Sequence, residues 1–214
     1  MALLSTLSKA IAEAEGLEET TVSWIARHLR EAGLISQAGR GRGAAHMKAS
    51  DAANLLIAVN GADNAKNAVE AVNKIRALRV GLDPRCKTEK GLFADICRYG
   101  TTFGDAIEAL ISASIHDGDA VSALELEIAA QPSIFEDNQI SIGFGRPHSA
   151  GFIAVSEGGP PNPGNPFNAN DHLSSIMFAY YWDASKIWSQ NTGRRDLTII
   201  GRDVLTRVGR TLSN

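Results

Sequence analysis

Apolar residues recur every three to four positions from Leu7 to Ile115, and every second position in two short runs, Leu124 to Ile128 and Ile140 to Phe144. A period near 3.6 lines one face of a helix, and a period of two lines one face of a strand. The switch near residue 117 of this 214-residue chain therefore predicts an α+β fold: helices first, a small sheet after them.

In the first helix Leu7, Ala10, Ile11 and Ala14 share a face, with Ser5 as N-cap, Gly16 as the left-handed stop and Leu17 as apolar plug of the turn. In the second, Val22, Ile25, Leu29 and Ala32 form the buried stripe. Thr20, Ser23, Arg27 and Arg30 lie opposite, with Trp24 on the flank. Gly33-Leu34-Ile35 ends it and begins an extended segment leading to Gly39-Arg40-Gly41-Arg42-Gly43. Further helices are expected over Asp51–Val59, started by Ser50 and broken by Asn60-Gly61, and over Asn64–Leu78. After a loop at Gly81–Pro84, two more are expected over Lys90–Tyr99 and Phe103–Ile115.

Leu124, Leu126 and Ile128, then Ile140, Ile142 and Phe144, then Gly151 to Ser156 read as three strands of an antiparallel meander. Gly158–Asn170 is rich in Gly, Pro and Asn and reads as a loop. Leu173, Ile176, Met177, Tyr180, Tyr181, Ala184, Ile187 and Trp188 fall at helical spacing, so a helix is preferred there, with Met177–Trp182 as an alternative strand. A brief strand at Leu197–Ile200 and a closing helix through Val204, Leu205, Val208 and Leu212 complete the chain. Three units follow: 1–60, 61–116 as a helical segment suited to oligomerisation, and 117–214.

Ala10-Ile11-Ala12, Gly16-Leu17, Thr21-Val22-Ser23 and His28-Leu29-Arg30-Glu31-Ala32-Gly33-Leu34-Ile35 together resemble the winged helix-turn-helix superfamily of bacterial and phage regulators. The resemblance covers about the first fifth of the chain, and 1–60 is read as such a module. It departs at the start of the second helix, where Glu18 or Glu19 replaces the usual Ser or Thr cap. A carboxylate suits the helix dipole there but repels phosphates. The resemblance implies a second helix that enters the DNA major groove. Thr20, Ser23, Trp24 and Arg27 would then meet the bases, with Arg27 suited to guanine; Thr21 would belong to the same DNA-binding set, and His28 and Arg30 would lie near phosphates. Gly39–Gly43 would be the wing, with Arg40 and Arg42 at the minor groove or phosphates and His46 and Lys48 extending the positive patch. The plain alternatives are an amphipathic surface helix and a solvated loop.

A net charge of −3 argues against a general nucleic-acid coat and leaves room for a local basic footprint. The approach to the sheet is acidic instead, through Asp117, Asp119, Glu125, Glu127, Glu136 and Asp137. Cys86 and Cys97 lack pair or metal-ligand spacing and read as reduced thiols. Gly39–Gly43 is followed by no Gly-Lys-Ser/Thr, which argues against a phosphate loop. His116 with Asp117 and Asp119 reads as a helix end running into a turn. His148 and His172, beside Ser149 and Asp171, have no set spatial relation that would make a triad. Phe178, Tyr180, Tyr181, Trp182 and Trp188 read as core or subunit contact. The expectation is thus no enzyme, no cofactor and no metal. No apolar run approaches the roughly 20 residues of a membrane span, and no signal peptide opens the chain, so a cytoplasmic protein is expected.

The function expected is sequence-specific binding of double-stranded DNA by a transcriptional regulator of bacterial, phage or mobile-element origin. It would act as a homo-oligomer, a dimer being favoured, with a protein partner for the C-terminal part. The alternatives are a phage DNA-packaging component such as a small terminase subunit, or an inhibitor or adaptor that uses the winged helix for protein contacts.

Overall fold

The helix around which the others pack is α3 (Ala49–Gly61). Every residue from Asp51 to Ala58 is buried. An apolar stripe through Ala52, Leu55, Leu56 and Val59 would have left a solvated side. Burial on nearly all sides is instead what a helix needs at the centre of a bundle. The computed structural model describes residues 2–37, 44–80, 96, 101–116, 138–146, 149–157, 175–182 and 196–213.

Around α3 stand α1 (Leu4–Glu15), α2 (Glu19–Glu31), α4 (Ala68–Arg76) and α5 (Phe103–His116), while α6 (Arg202–Ser213) packs chiefly on α1 and α5. One buried cluster runs from Leu7 through Val22, Leu55 and Phe103 to Leu212. The sheet has five strands, all antiparallel, in the order β1 (Arg79–Val80), β4 (Ser175–Trp182), β3 (Ala150–Glu157), β2 (Asn138–Arg146), β5 (Asp196–Gly201). The chain is therefore α+β, and two strands of the expected meander, those through Ile140–Phe144 and 151–156, are present as the antiparallel pair β2–β3.

Period-two alternation sets the faces of the sheet. Ile140, Ile142, Phe144 and Ile153 join the helical core, whereas Ala150, Phe152 and Ala154 form a small cluster on the opposite face with Leu197 and Ile199. Two glycines make room for rings. A Cβ at Gly151 would lie 2.4 Å from Cε1 of Phe103, and one at Gly143 would meet the ring of Phe152. With that space left open, Phe103 reaches the sheet and packs on Phe144 at 5.6 Å between ring centroids.

Several expectations are corrected. Residues 175–182 form strand β4, paired with β3 from Ala150↔Trp182 to Ser156↔Ser175, rather than part of a helix over 173–188. β3 needs a partner on the edge that β2 leaves free, and the aromatic and β-branched run of 176–182 suits a strand. The stretch from Asn64 begins as a 3-10 turn (Ala65–Asn67), with the Asn64 side chain accepting the Lys66 and Asn67 amides. It continues as α4 and leaves as β1. Helix α1 starts at Leu4 after Leu3, which gives no side-chain cap, so Ser5 is not the cap. Lys48 rather than Ser50 precedes α3. Ala32 and Leu17, expected inside, are exposed. The helix expected over Lys90–Tyr99, the strand over 124–128, the acidic approach to the sheet, the loop over 158–170 and both cysteines lie outside the described residues, apart from Ile96, which is buried.

Candidate nucleic-acid interface

Helices α1 and α2 pair through Leu7 and Ile11 on one side and Val22, Ile25 and Leu29 on the other, all in the common core. The turn between them depends on Gly16, whose φ of 67° falls in the left-handed region open to glycine. The Leu17 amide then closes on the Ala12 carbonyl at 2.8 Å. Glu18 precedes α2 without a side-chain cap, and its carbonyl receives the Thr21 and Val22 amides. Two carboxylates, Glu18 and Glu19, thus stand exposed at the positive end of the helix.

The stripe of α2 faces inward, and the opposite side is open. Thr20, Thr21, Ser23, Trp24, Arg27 and Arg30 are exposed, and His28 is half-buried. Trp24 is 53% exposed, although its size and apolarity favour the interior. It is nevertheless held in place. His28 meets it edge to face at 5.4 Å, and the Arg27 guanidinium carbon lies 5.6 Å from its ring centroid, within cation–π range. Arg27 is tied on its other side as well, its Nε donating to Glu31 Oε1 at 2.7 Å. That hydrogen bond holds the Glu31 carboxyl below the usual carboxylate range. Among the described residues the Arg30 guanidinium has no ion pair or hydrogen bond. Its backbone carbonyl accepts from Gln37 Nε2.

The segment after α2 is shaped by the residues that receive it. Gly33, at φ 74°, lets the Leu34 amide turn back to the Leu29 carbonyl at 2.9 Å. Asp51, 4% exposed on α3, then accepts the Ser36 amide on Oδ1 and the Lys48 amide on Oδ2, both at 2.8 Å. The Met47 amide donates to the Ala2 carbonyl at 2.8 Å. One carboxylate therefore clips together the two ends of a loop that leaves and returns beside α2. A second network braces the same base. Glu108 on α5 accepts from Arg76 Nη2 at 2.5 Å, Arg76 Nη1 donates to Asn54 Oδ1 at 2.7 Å, and Asn54 Nδ2 donates to the Leu34 carbonyl at 2.6 Å.

His46 and Lys48 are exposed on the returning arm of this loop, whereas Arg40 and Arg42 lie outside the described residues. No strand flanks the loop among the described residues. The structure thus brings Thr20, Thr21, Ser23, Trp24, Arg27 and Arg30 to one exposed helix and His46 and Lys48 to an adjoining arm. Asp51, Asn54, Arg76 and Glu108, which set where that arm starts, were not singled out in the sequence. Their partners stand 15 to 32 positions away, beyond the reach of local periodicity.

His148 and His172 lie outside the described residues, and nothing is described of the His116 side chain. Among the described residues no three His, Cys, Asp or Glu side chains gather in a way that could hold a metal ion. No helix among them is long and apolar enough to cross a membrane. No protein-family model, curated protein or solved structure matches this chain.

Proposed function

We propose that this chain is a sequence-specific DNA-binding protein, a transcriptional regulator of bacterial, phage or mobile-element type. In this reading α1 and α2 form a helix-turn-helix, the loop between Ser36 and Lys48 is its wing, and a cytoplasmic homodimer presents two copies to paired half-sites. The observation that carries it is the outer face of α2, where Arg27 is held between Trp24 and Glu31 on an exposed helix beside a clipped basic loop. A guanidinium already ordered on its helix loses less freedom on meeting a guanine edge than a free one would. Thr20, Ser23 and Trp24 lie on the same face, with His28 and Arg30 placed for phosphates.

The test is DNA selection from random sequence, followed by titration at several salt concentrations. Arg27→Ala should weaken the selected site by about 1–3 kcal/mol and relax the preference at one base pair. Arg40→Ala with Arg42→Ala should weaken all sequences alike and reduce the salt slope by about two phosphate contacts. Unchanged binding by both variants would remove the interface from this face.

A second reading draws on Trp24 and on the carboxylates Glu18, Glu19 and Glu31 along the same helix. An exposed tryptophan amid mixed charge is also the make-up of a protein-contact hot spot. An adaptor of that kind shows no DNA binding even at low salt.

A further inference from the structure

A cavity of about 580 Å³ opens between the first turns of α1, one edge of α2 and the two arms of the clipped loop. This volume lies within the range of small-molecule sites, roughly 300–1,000 Å³. Its walls divide by chemistry. Leu4, Ala26 and Met47 offer apolar surface, while Arg27 and Arg30 offer two guanidinium groups. No carboxylate is among the described residues that line it. Ser8, only 1% exposed, is part of the lining, and its hydroxyl has no hydrogen-bond partner among the described residues. A buried hydroxyl left unpaired in a native fold calls for an explanation, and a turn of the side chain that brings it to a polar ligand atom is one. The uncapped first turn of α1 reaches the same space, and its amides and dipole favour negative charge.

We propose that this cavity binds a small organic anion, an apolar body carrying one phosphate or carboxylate. Arg30 receives the anionic group, because its guanidinium has no hydrogen bond or ion pair among the described residues, whereas Arg27 already gives its Nε to Glu31 and keeps only its Nη groups for a ligand. Leu4, Ala26 and Met47 take the apolar body. Ser23, Arg27 and Arg30 belong both to this lining and to the outer set of α2, so ligand and DNA would contend for the same side chains. By linkage, each would weaken the other by the same factor. That coupling rests on the proposed function; binding of the anion does not.

The experiment titrates the full chain, free of DNA, with phenyl phosphate, benzoate, toluene and inorganic phosphate, followed by calorimetry and by amide chemical shifts. Phenyl phosphate or benzoate should saturate the protein below about 10 mM, a range in which a millimolar site fills. Shifts should centre on Ser8, Ala26 and Arg30, and toluene and inorganic phosphate should each bind at least tenfold more weakly. Whichever of the two aromatic anions binds more tightly identifies the anionic group. Arg30→Gln, a change on an exposed side chain, should weaken binding about tenfold, and Ala45→Leu should block the cavity. Failure of both aromatic anions to bind overturns the proposal, as does equal binding by inorganic phosphate or by Arg30→Gln. The DNA arm is scored separately. Anion binding without any DNA binding leaves the cavity standing and removes the regulator reading. DNA binding without anion binding does the reverse.

Discussion

Asp51 occupies the third position of α3, where an acidic residue would ordinarily serve only its own helix end. Here one carboxylate oxygen holds the amide 15 residues back and the other the amide three residues back. Asp51→Ala leaves both amides without that charged acceptor, at a cost of about 2–4 kcal/mol. Asp51→Asn keeps a single acceptor oxygen and should fall between alanine and the parent. Urea midpoints order the three, and equal midpoints would mean that the clip adds nothing. Glu15 gives a prediction in pH. Burial pushes its carboxyl up to about 7 from 4.5, against the opposing effect of the Asn60 Nδ2 bond at 3.1 Å. Between those values the folded chain binds more protons than the unfolded one. The unfavourable contribution is therefore absent below about pH 4.5 and complete above pH 7, so stability falls as pH rises through that window. A shift of this size corresponds to roughly 3 kcal/mol. Glu15→Gln should flatten the slope and be the more stable protein at pH 8 in urea melts. An unchanged slope would place the titration elsewhere. Neither role could be read from neighbours in sequence: Asn60 lies 45 positions away, and nothing near Glu15 marks it as buried.

Elements were legible where one face decides the outcome. Leu7, Ile11, Val22, Ile25 and Leu29 are buried as their spacing predicts, and so are Ile140, Ile142 and Phe144. Spacing failed where two periods fit the same residues. Ile176, Tyr180 and Tyr181 satisfy a helical stripe, and they also lie in an eight-residue run able to pair with β3. The edge of β3 that β2 leaves free decides between them. Close approaches between helices were equally hidden. A Cβ at Gly209 on α6 would stand 2.7 Å from the Ser114 carbonyl oxygen on α5, and one at Gly201 would meet nothing nearer than 4.0 Å. Gly209→Ala should force the two helices apart and cost about 1–3 kcal/mol. Gly201→Ala should cost much less. Ser114→Ala should not rescue Gly209→Ala, because the obstacle includes backbone. Thermal midpoints of the three variants and the double variant test this, and rescue by Ser114→Ala would show that the side chain alone sets the spacing.

At the scale of the molecule, the first 60 residues carry the candidate interface, but the helix that supports them is the last. α1 packs on α2 along one side and on α6 along another, and Arg207 on α6 pairs with Glu13 on α1. That exposed ion pair contributes little by itself. The weight lies in Val204, Leu205, Val208 and Leu212, all buried in the cluster that also holds Leu7 and Ile11. At roughly 1.5–3 kcal/mol for each such side chain, removing the four forfeits about 6–12 kcal/mol. This is comparable with the whole stability of an ordinary domain, about 5–15 kcal/mol. The resemblance alone reads 1–60 as a unit, and nothing local in sequence tells whether it would fold without a helix that begins at residue 202. The expected outcome is that a fragment of residues 1–61 shows helical circular dichroism without a cooperative thermal transition. The chain lacking 202–213 should lose both its transition and the DNA binding proposed for α2, although it keeps every residue of that face. A sharp transition and undiminished DNA binding by either truncated chain would make the helix pair self-sufficient and leave α6 a passenger. If both are lost, the surface proposed to read DNA is held in place by the end of the chain, and changes in α6 should reach the interface through α1.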